Sequence, residues 1–253
     1  MSVEVHVLAS GSDGNCAIVR CEDSAIMIDS GLSFKATRSL MAVNGIDGNE
    51  LKGILVTHEH IDHIRSVQIV SKKLNLPIIC NQNTFDASHF SDNAYRRIFM
   101  MNPFDIVGMK VIALPTSHDA VEPCAYFMDT GKEKILIATD MGFVTDQVEH
   151  ALLEADIALI ESNYDREMLE TGPYPYTLKR RIDSDVGHLC NTMSGEVIKR
   201  TITNRQRKIF LAHLSKKNNT PDIARETVSR ISGIKRMNLD CLEFKGDTRI
   251  IKG

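Results

Sequence analysis

The heptapeptide THEHIDH at positions 57–63 constrains the fold of this chain more than any other feature. It places three histidines and an aspartate within six positions, although the chain has only 9 histidines in 253 residues. The apolar run GILVTH (53–58) is typical of a buried strand, and apolar residues recur at helical spacing over 62–75. The heptapeptide is therefore predicted to form a strand-to-helix corner, at which its side chains can converge.

The donor atoms at this corner suit a transition-metal ion. In extended backbone His58 and His60 project from the same side. Asp62 and His63 fall in the first turn of the predicted helix, where they can face a second point close by. Imidazole and carboxylate groups at this density suit Zn²⁺, Mn²⁺ or Fe²⁺. The alternative is a solvated polar turn, but clusters of this kind are characteristic of metal sites.

Three more polar residues each lie at the end of an apolar run that is predicted as a strand. One such residue is a weak signal, because a lone histidine at a strand end is more often structural. Functional residues tend to lie on loops held by a rigid scaffold, so several strand ends can contribute to one site. Together with the corner, they predict a set of seven nitrogen and oxygen ligands. They are His118 in KVIALPTSH, Asp140 in KILIATD and His213 in KIFLAHLS.

The rest of the chain predicts a mixed α/β fold. Short β-rich segments at 3–9, 15–22 and 24–31 are expected to form an antiparallel meander. Glycine and proline make 163–190 the least regular stretch, which we expect to be an ordered loop or a short insertion. No repeat or linker interrupts the sequence, so a single domain over 1–253 is the simplest interpretation. Helices are predicted at 33–44, 62–75, 145–155, 191–203 and 220–233.

Composition excludes several classes of protein. Apolar residues make up 43% and charged residues 25%, which is ordinary globular usage rather than that of a disordered or fibrous chain. No apolar run approaches the ~20 residues of a membrane span, and the first residues lack the features of a signal peptide. The 6 cysteines form no CxxC pair and are interpreted as reduced thiols. We therefore expect a cytoplasmic protein without a membrane partner. The net charge of −3 argues against passive coating of nucleic acid.

The order of these motifs resembles the metallo-β-lactamase superfamily over nearly the whole chain. The shared pattern is His-x-His-x-Asp-His followed by a histidine, an aspartate and a histidine at later strand ends. The resemblance implies a four-layer αβ/βα sandwich with mixed sheets and a dinuclear metal site along one edge. It also implies a distribution of ligands. His58, His60 and His118 would hold one of two divalent metal ions, Asp62, His63 and His213 would hold the other, and Asp140 would bridge them.

Further segments narrow this resemblance to the YycJ/WalJ-like group, whose members are bacterial single-domain hydrolases regarded as DNA exonucleases. The β-CASP nucleases of the same superfamily are longer, and the interval from Asp140 to His213 has no room for their nucleic-acid-clamping insertion. The segments that carry the resemblance are LASGSDGNCAIV (8–19), IDSG (28–31), VTHEHIDHI (56–64), PTSHDA (115–120), ATDMG (138–142), IESNYD (160–165), GHLCN (187–191) and LAHLSKKNN (211–219).

The resemblance implies a metal-dependent phosphodiesterase, and more narrowly a DNA exonuclease. Two ions, zinc or manganese, would hold a hydroxide that attacks the phosphate. We expect Asp62 to orient that hydroxide and Asp140 to be essential for catalysis. The substrate would be nucleic acid, DNA rather than RNA, and no protein partner is implied.

His188 is the candidate for binding the phosphate and helping the leaving oxygen depart. It precedes a predicted helix, and a helix N-terminus favours anions. A capping or packing role is an equal alternative for this histidine. Asn191 is predicted to be the N-cap of that helix.

Basic residues flank two of these histidines in the sequence. Lys179–Arg181 precedes His188 and Lys216–Lys217 follows His213, so both runs could line a track of phosphates. Stacking on unpaired bases is conceivable for several aromatic residues, although tyrosines in an irregular loop more often pack locally. These residues are Phe34, Tyr164, Tyr174 and Tyr176.

Two other functions fit the same ligands. One is hydrolysis of a small ester, thioester, lactone or β-lactam, since a fold does not decide the substrate; the basic runs favour a phosphate instead. The other is a metal-stabilised regulatory or binding protein without turnover. Seven ligands argue against it, because a structural zinc needs four and leaves no open position.

Overall fold

Two mixed sheets of seven strands form the centre of the molecule in a computed structural model that describes residues 3–91, 94–203, 207–242 and 249–252. The first sheet contains β1 (Val3–Ala9), β2 (Cys16–Cys21), β3 (Ser24–Ile28), β4 (Leu51–Leu55), β5 (Ile78–Cys80), β6 (Tyr95–Arg97) and β14 (Arg249–Lys252). The second contains β7 (Phe104–Ile106), β8 (Met109–Pro115), β9 (Cys124–Asp129), β10 (Lys134–Ala138), β11 (Ile157–Glu161), β12 (Lys208–Ala212) and β13 (Leu239–Cys241).

Both sheets combine antiparallel and parallel pairing in the same way. The first has the strand order β14-β1-β2-β3-β4-β5-β6. Its strands β1 to β3 form the expected antiparallel meander, and β3 to β6 are parallel neighbours. The second has the order β13-β12-β11-β10-β9-β8-β7, antiparallel from β7 to β10 and parallel from β10 to β13. In the parallel part of each sheet, consecutive strand ends therefore lie along one edge.

Helices lie outside the two sheets and at the edge where the strand ends meet. They are α1 (Phe34–Val43), α2 (Ile61–Ile64), α3 (Val67–Leu74), α4 (Gln82–Ala87), α5 (Asp146–Glu154), α6 (Arg166–Thr171), α7 (Tyr176–Ile182), α8 (Asn191–Arg200) and α9 (Pro221–Ser232). Two of them begin at threonine caps, since Thr145 accepts from the Val148 N–H and Thr220 from the Ile223 N–H. No helix in these described ranges is long and apolar enough to cross a membrane.

Alternating side chains divide the apolar residues among three cores. Along β10, Ile135 and Ile137 point into the core between the two sheets, whereas Leu136 and Ala138 point to the core under α5, α8 and α9. A third core lies between the first sheet and the helices α1 and α3. The layers therefore run helix, sheet, sheet, helix, and the predicted four-layer sandwich with mixed sheets is confirmed.

The helix predicted over 62–75 is wrong in one respect, because the structure divides it into α2 and α3. Ser66 interrupts the helix with φ −120° and ψ 5°. Its N–H donates to the Ser30 carbonyl at 2.9 Å, and its hydroxyl contacts the Ser30 hydroxyl at 2.8 Å. This contact between distant residues leaves Asp62 and His63 on a helix of one turn.

The stretch 163–190 is more regular than predicted, because it contains α6 and α7. Asp165 caps α6 by accepting a hydrogen bond from the Met168 N–H at 3.0 Å. Pro175 directly precedes α7, at a position where a missing N–H costs nothing. Proline in this stretch therefore marks a helix boundary rather than an irregular loop.

Candidate metal centre

The seven predicted ligands converge at one edge of the sandwich. The corner at 57–63 follows β4 of the first sheet, and two hydrogen bonds tie it to β9 of the second. Cys124 N–H donates to the Thr57 carbonyl at 3.1 Å, and the Tyr126 hydroxyl donates to the Val56 carbonyl at 2.8 Å. Three groups result, in each of which one donor atom per residue lies within 4.8 Å of the others. They are His58, His60 and His118; Asp62, His63 and His213; and Asp140 with His58 and His63.

The first triad turns ring nitrogens toward a common point, where the Nε2 of His118 lies 3.2 Å from the Nδ1 of His60. His118 donates from Nδ1 to the Gly187 carbonyl at 2.9 Å, which leaves the Nε2 lone pair for a ligand. Thr57 donates its hydroxyl proton to Asp29, so the His58 Nδ1, 3.0 Å away, is the donor to that hydroxyl. The Nε2 of His58 then also carries a lone pair. These tautomers are the ones that metal-binding histidines adopt.

The second triad is held by a buried carboxylate. Asp29 accepts from the His63 Nδ1 at 2.8 Å and from the Thr57 N–H at 2.9 Å. The Nε2 of His63 lies 3.2 Å from the Asp140 Oδ2. A carboxylate behind an imidazole both orients the ring and raises its basicity as a ligand, so Asp29 is placed to position the predicted ligand His63.

Three buried atoms in the cluster lack a hydrogen-bond partner among the described residues. They are the Nε2 of His58, the Oδ2 of Asp140 and the Nε2 of His213. The contact of Asp140 with His63 at 3.2 Å is an ion-pair distance that does not meet hydrogen-bond geometry. Buried polar atoms are almost always paired. Unpaired lone pairs from two imidazoles and a carboxylate, aimed into one cluster, fit a divalent metal ion.

The charges in the cluster also fit a bound cation. Burial and the neighbouring His63 lower the pKa of His58 well below its usual value. Burial also opposes protonation of His63, but Asp140 and Asp29 outweigh it and raise the pKa of this imidazole well above its usual value. Likewise Asp140, against the effect of burial, raises the pKa of His213 to about 10. The buried carboxylates thus require nearby positive charge, which protonated imidazoles or a divalent cation can supply.

Two of the predicted ligands have left-handed backbone. The φ angle is 60° at Asp140 and 55° at His213. Both follow a parallel strand by one or two positions, since β10 ends at Ala138 and β12 at Ala212. The His213 N–H donates to the Ser10 hydroxyl at 2.8 Å, which anchors the turn. Such conformations cost about 1–3 kcal/mol and concentrate at functional sites.

Glu161 is a buried site residue that the sequence reasoning did not identify. Its Oε1 accepts from the Nδ1 of His188 at 2.8 Å and from the Nδ1 of His213 at 2.9 Å. Its Oε2 accepts from the Met141 N–H at 2.7 Å. Burial opposes ionisation, but His188 outweighs it and lowers the pKa of Glu161. The signal was present, because Glu161 ends the apolar strand IALIE much as Asp140 follows KILIA.

His188 lies between the two triads. Its ring centre is 5.1 Å from that of His118 and 5.2 Å from that of His213, and its side chain is 18% exposed. It also groups with Asp140, Glu161 and His213 as a possible metal donor. The helix that follows His188 is α8, and its N-cap is not the predicted one.

Asn191 is not the N-cap of α8, which is Cys190. Its N–H donates to the Tyr164 carbonyl at 2.9 Å, and its side chain is buried. There it accepts from the Ser162 hydroxyl at 2.7 Å and donates to Asn219 at 3.0 Å. These long-range partners place Asn191 inside the helix rather than at its cap.

The predicted basic and aromatic residues have different environments. Arg181 donates from Nε to Asp119 at 2.5 Å, and the other oxygen of Asp119 is 3.5 Å from the Nε2 of His118. Lys216 pairs with Asp13 instead. Of the four aromatic candidates for stacking, Tyr176 is 75% exposed, Tyr164 is buried, and Phe34 and Tyr174 pack partly against apolar clusters.

Fold and site together define a metallohydrolase of the metallo-β-lactamase superfamily. Residues 9–176 match that family, and the chain belongs to it. The chain is 39% identical over 236 residues to exodeoxyribonuclease YycJ of Bacillus anthracis, an alignment that covers 91% of this chain and 89% of the relative. It is also 39% identical over 230 residues to exodeoxyribonuclease WalJ of Streptococcus pneumoniae strain D39, covering 88% and 85%. The resemblance to the YycJ/WalJ-like group is therefore confirmed.

A solved structure shares the fold along its whole length. The metallo-β-lactamase fold protein YhfI of Bacillus subtilis superposes with a TM-score of 0.76, covering 100% of both chains at 17% identity. At that identity the similarity concerns the fold alone.

Proposed function

We propose that this protein is a divalent-metal-dependent DNA exonuclease. The convergence of two donor triads on Asp140 is the observation that carries the proposal, because it supplies metal ligands from both sheets at one point. The relatives named as exodeoxyribonucleases support the substrate, since they align with the chain over most of their length.

The proposed centre holds two ions, zinc or manganese. His58, His60 and His118 would hold one ion, Asp62, His63 and His213 would hold the other, and Asp140 would be available to both. When bound, such a pair of ions supplies a water of pKa about 7 and neutralises charge on a phosphate. The nitrogen and carboxylate donors accept either metal, and geometry and availability decide between them.

Asp62 is proposed to orient the attacking water. It is the most exposed ligand of the second triad, with 20% of its side chain accessible, and it accepts from the Asn15 amide at 3.4 Å. An accessible carboxylate that is fixed at one oxygen can accept a proton from water at the other.

His188 is proposed to protonate the leaving oxygen, with Glu161 as its positioning residue. Because Glu161 accepts from Nδ1, the ring is oriented by that bond and Nε2 carries the transferable proton when the imidazole is charged. The exposed fraction of His188 leaves this ring accessible to a substrate.

A substrate panel tests the proposal. End-labelled DNA, end-labelled RNA, a chromogenic phosphodiester, a β-lactam and a thioester are each incubated with the protein and Zn²⁺ or Mn²⁺. We expect DNA to be shortened progressively from an end, and a chelator to stop the reaction. Cleavage of the thioester or β-lactam with intact DNA would instead establish the small-molecule hydrolase.

We also propose that the chain forms one domain and works in the cytoplasm. The two sheets share a single core, to which both halves of the chain contribute. All six cysteines lie in the described ranges and are buried free thiols, as expected in a reducing compartment.

A further inference from the structure

We propose that a cavity between α6 and α7 binds unpaired nucleotides of the DNA strand next to the scissile phosphate. This inference rests on the proposed nuclease function and adds the part of the substrate that the enzyme holds outside its metal centre. The α6–α7 cavity has a volume of about 560 Å³, which is typical of a ligand pocket. Its lining includes Tyr164, Arg166, Leu169, Tyr176, Lys179 and Arg180.

The cations of the α6–α7 cavity are not neutralised by ion pairs. Within the part of the chain that the structure describes, Arg166 directs its hydrogen bonds to sulfur atoms, Cys190 Sγ at 3.4 Å and Met193 Sδ at 3.9 Å. Lys179 donates to the backbone carbonyl of Glu170 at 2.7 Å. Arg180 is exposed, and within the described ranges no carboxylate forms an ion pair with any of these three side chains. Unpaired cations around a cavity favour an anionic ligand such as a phosphate.

The acids of the cavity do not cancel this charge. Glu170 and Asp183 also line it, which leaves three cations against two carboxylates. Asp183 accepts a hydrogen bond from the Tyr164 hydroxyl at 2.5 Å, so one of its oxygens is already engaged.

Tyr176 adds an aromatic surface to the rim. It is the first residue of α7 and 75% exposed, so its ring contributes little to a core. Aromatic rings beside a basic groove are the usual platform for unpaired bases, worth about 1–3 kcal/mol per stacked base. A paired base cannot stack in this way, so the cavity selects a single strand or a frayed end.

The helix that lines the cavity also reaches the metal centre. The His188 N–H donates to the Ile182 carbonyl at 2.9 Å, and a Cβ on Gly187 would lie 2.2 Å from the Arg181 carbonyl oxygen. Arg181 is one residue from Arg180 and donates to Asp119, which lies beside His118. The end of α7 thus connects the α6–α7 cavity to residues beside His118 and His188, and we infer that the strand follows α7 between the two.

Steady-state kinetics of the metal-loaded Tyr176→Ala/Arg180→Ala variant test the inference. With an end-labelled single-stranded oligodeoxynucleotide, we expect KM to rise roughly tenfold or more from the loss of one stacked base and one phosphate contact. The kcat/KM for a chromogenic phosphodiester should stay unchanged, because this substrate is too small to reach from the metal centre to the α6–α7 cavity. The slope of log KM against log salt should fall by about 0.7 for the one cation removed.

Two controls separate this effect from loss of charge or of folding. Lys72→Ala/Lys73→Ala removes two exposed cations from the last turn of α3, on the outer face of the first sheet, and should leave KM unchanged. The single variant Tyr176→Phe keeps the aromatic ring, so its KM for the oligodeoxynucleotide should stay close to that of the wild type. An unaltered KM in the Tyr176→Ala/Arg180→Ala variant overturns the inference, and so does an equal rise for the Lys72/Lys73 variant.

A binding measurement tests the α6–α7 cavity independently of the proposed nuclease activity. The probe is a fluorescent single-stranded oligonucleotide with phosphorothioate linkages at both ends, titrated with metal-loaded protein. Weaker binding by Tyr176→Ala/Arg180→Ala supports the cavity even if the wild type cleaves no DNA, a result that would refute only the nuclease activity. Equal dissociation constants for wild type and variant, with DNA cleavage intact, refute the cavity alone.

Discussion

The two sheets contribute to the metal centre in opposite ways. The first sheet supplies four donors from the single corner at 57–63, which follows β4 and continues into α2. The second supplies its donors one at a time, from the ends of different strands. Among these, Asp140 follows β10, Glu161 ends β11 and His213 follows β12. One half of the site is thus a local sequence motif, and the other half exists only once the sheet has formed.

Strand register explains how the donors of the second sheet, the dispersed half of the site, come together. The parallel pairing sets Ala138 opposite Ile160, and Glu161 opposite Ala212. Because the three strands are parallel, their carboxyl ends emerge at the same edge. A shift by one residue in any of these pairings would turn the donor to the other face of the sheet. The dispersed half therefore depends on packing far from the site.

The largest expected effect comes from the residue that joins both halves. Asp140→Ala should lower kcat on an end-labelled oligodeoxynucleotide by about 10⁴-fold or more, equivalent to about 5–6 kcal/mol of activation free energy. Metal content should also fall, while circular dichroism stays native. Asp146→Asn, an exposed change in the first turn of α5, is the matched control. Retained turnover in Asp140→Ala would show that the two halves do not share this ligand.

His188→Ala is expected to separate chemistry from metal binding. Loss of a general acid typically costs on the order of 10²–10⁴ in kcat, and metal content, measured by atomic emission, should remain that of the wild type. If metal is lost in proportion to activity, His188 is a ligand of the dispersed half and its proposed role is wrong.

The two buried carboxylates behind the imidazoles offer a direct comparison of the halves. Glu161→Gln weakens the hold on both His188 and His213, and we expect kcat to fall about 10–100-fold. Asp29→Asn affects His63 and should mainly lower metal affinity, by a similar factor. Titration with a metal-competing dye alongside kinetics distinguishes them. Identical profiles for the two variants would remove the distinction between the halves.

Metal removal should abolish turnover, but its effect on the stability of the fold is the smallest change expected here. Ions bound by residues of both sheets stabilise the folded state, by about 2.7 kcal/mol when free metal exceeds the dissociation constant 100-fold. Chelation should therefore lower Tm in differential scanning calorimetry, and added Zn²⁺ or Mn²⁺ should restore it. An unchanged Tm despite verified loss of metal would mean that the ions do not tie the halves together.

The sequence predicted the local half of the site better than its surroundings. Donor density at 57–63 is visible without any fold, and His118, Asp140 and His213 are visible as polar ends of apolar runs. Glu161 was missed because a single acid after a strand resembles many surface acids. What distinguishes it is the pair of imidazoles that accompany it, which lie 27 and 52 positions away.

The errors in the fold have the same origin. The break between α2 and α3 depends on Ser66 meeting Ser30, and the start of α8 depends on Asn191 meeting Ser162 and Asn219. Both contacts join residues that are far apart in the sequence. Helical periodicity and cap preferences describe only neighbours, so they could not anticipate either one.

The left-handed backbone at positions 140 and 213 limits how this protein can diverge. Apart from glycine, the residues that most often tolerate positive φ are asparagine, aspartate and histidine. Two of these three, aspartate and histidine, can also bind metal. Replacement by a β-branched residue would lose the donor and strain the turn together, whereas Asp140→Asn would keep the turn. Relatives that lose catalysis but keep this architecture should therefore have asparagine or glycine at these two positions. Such residues would show that a metal donor once stood in the same left-handed turn.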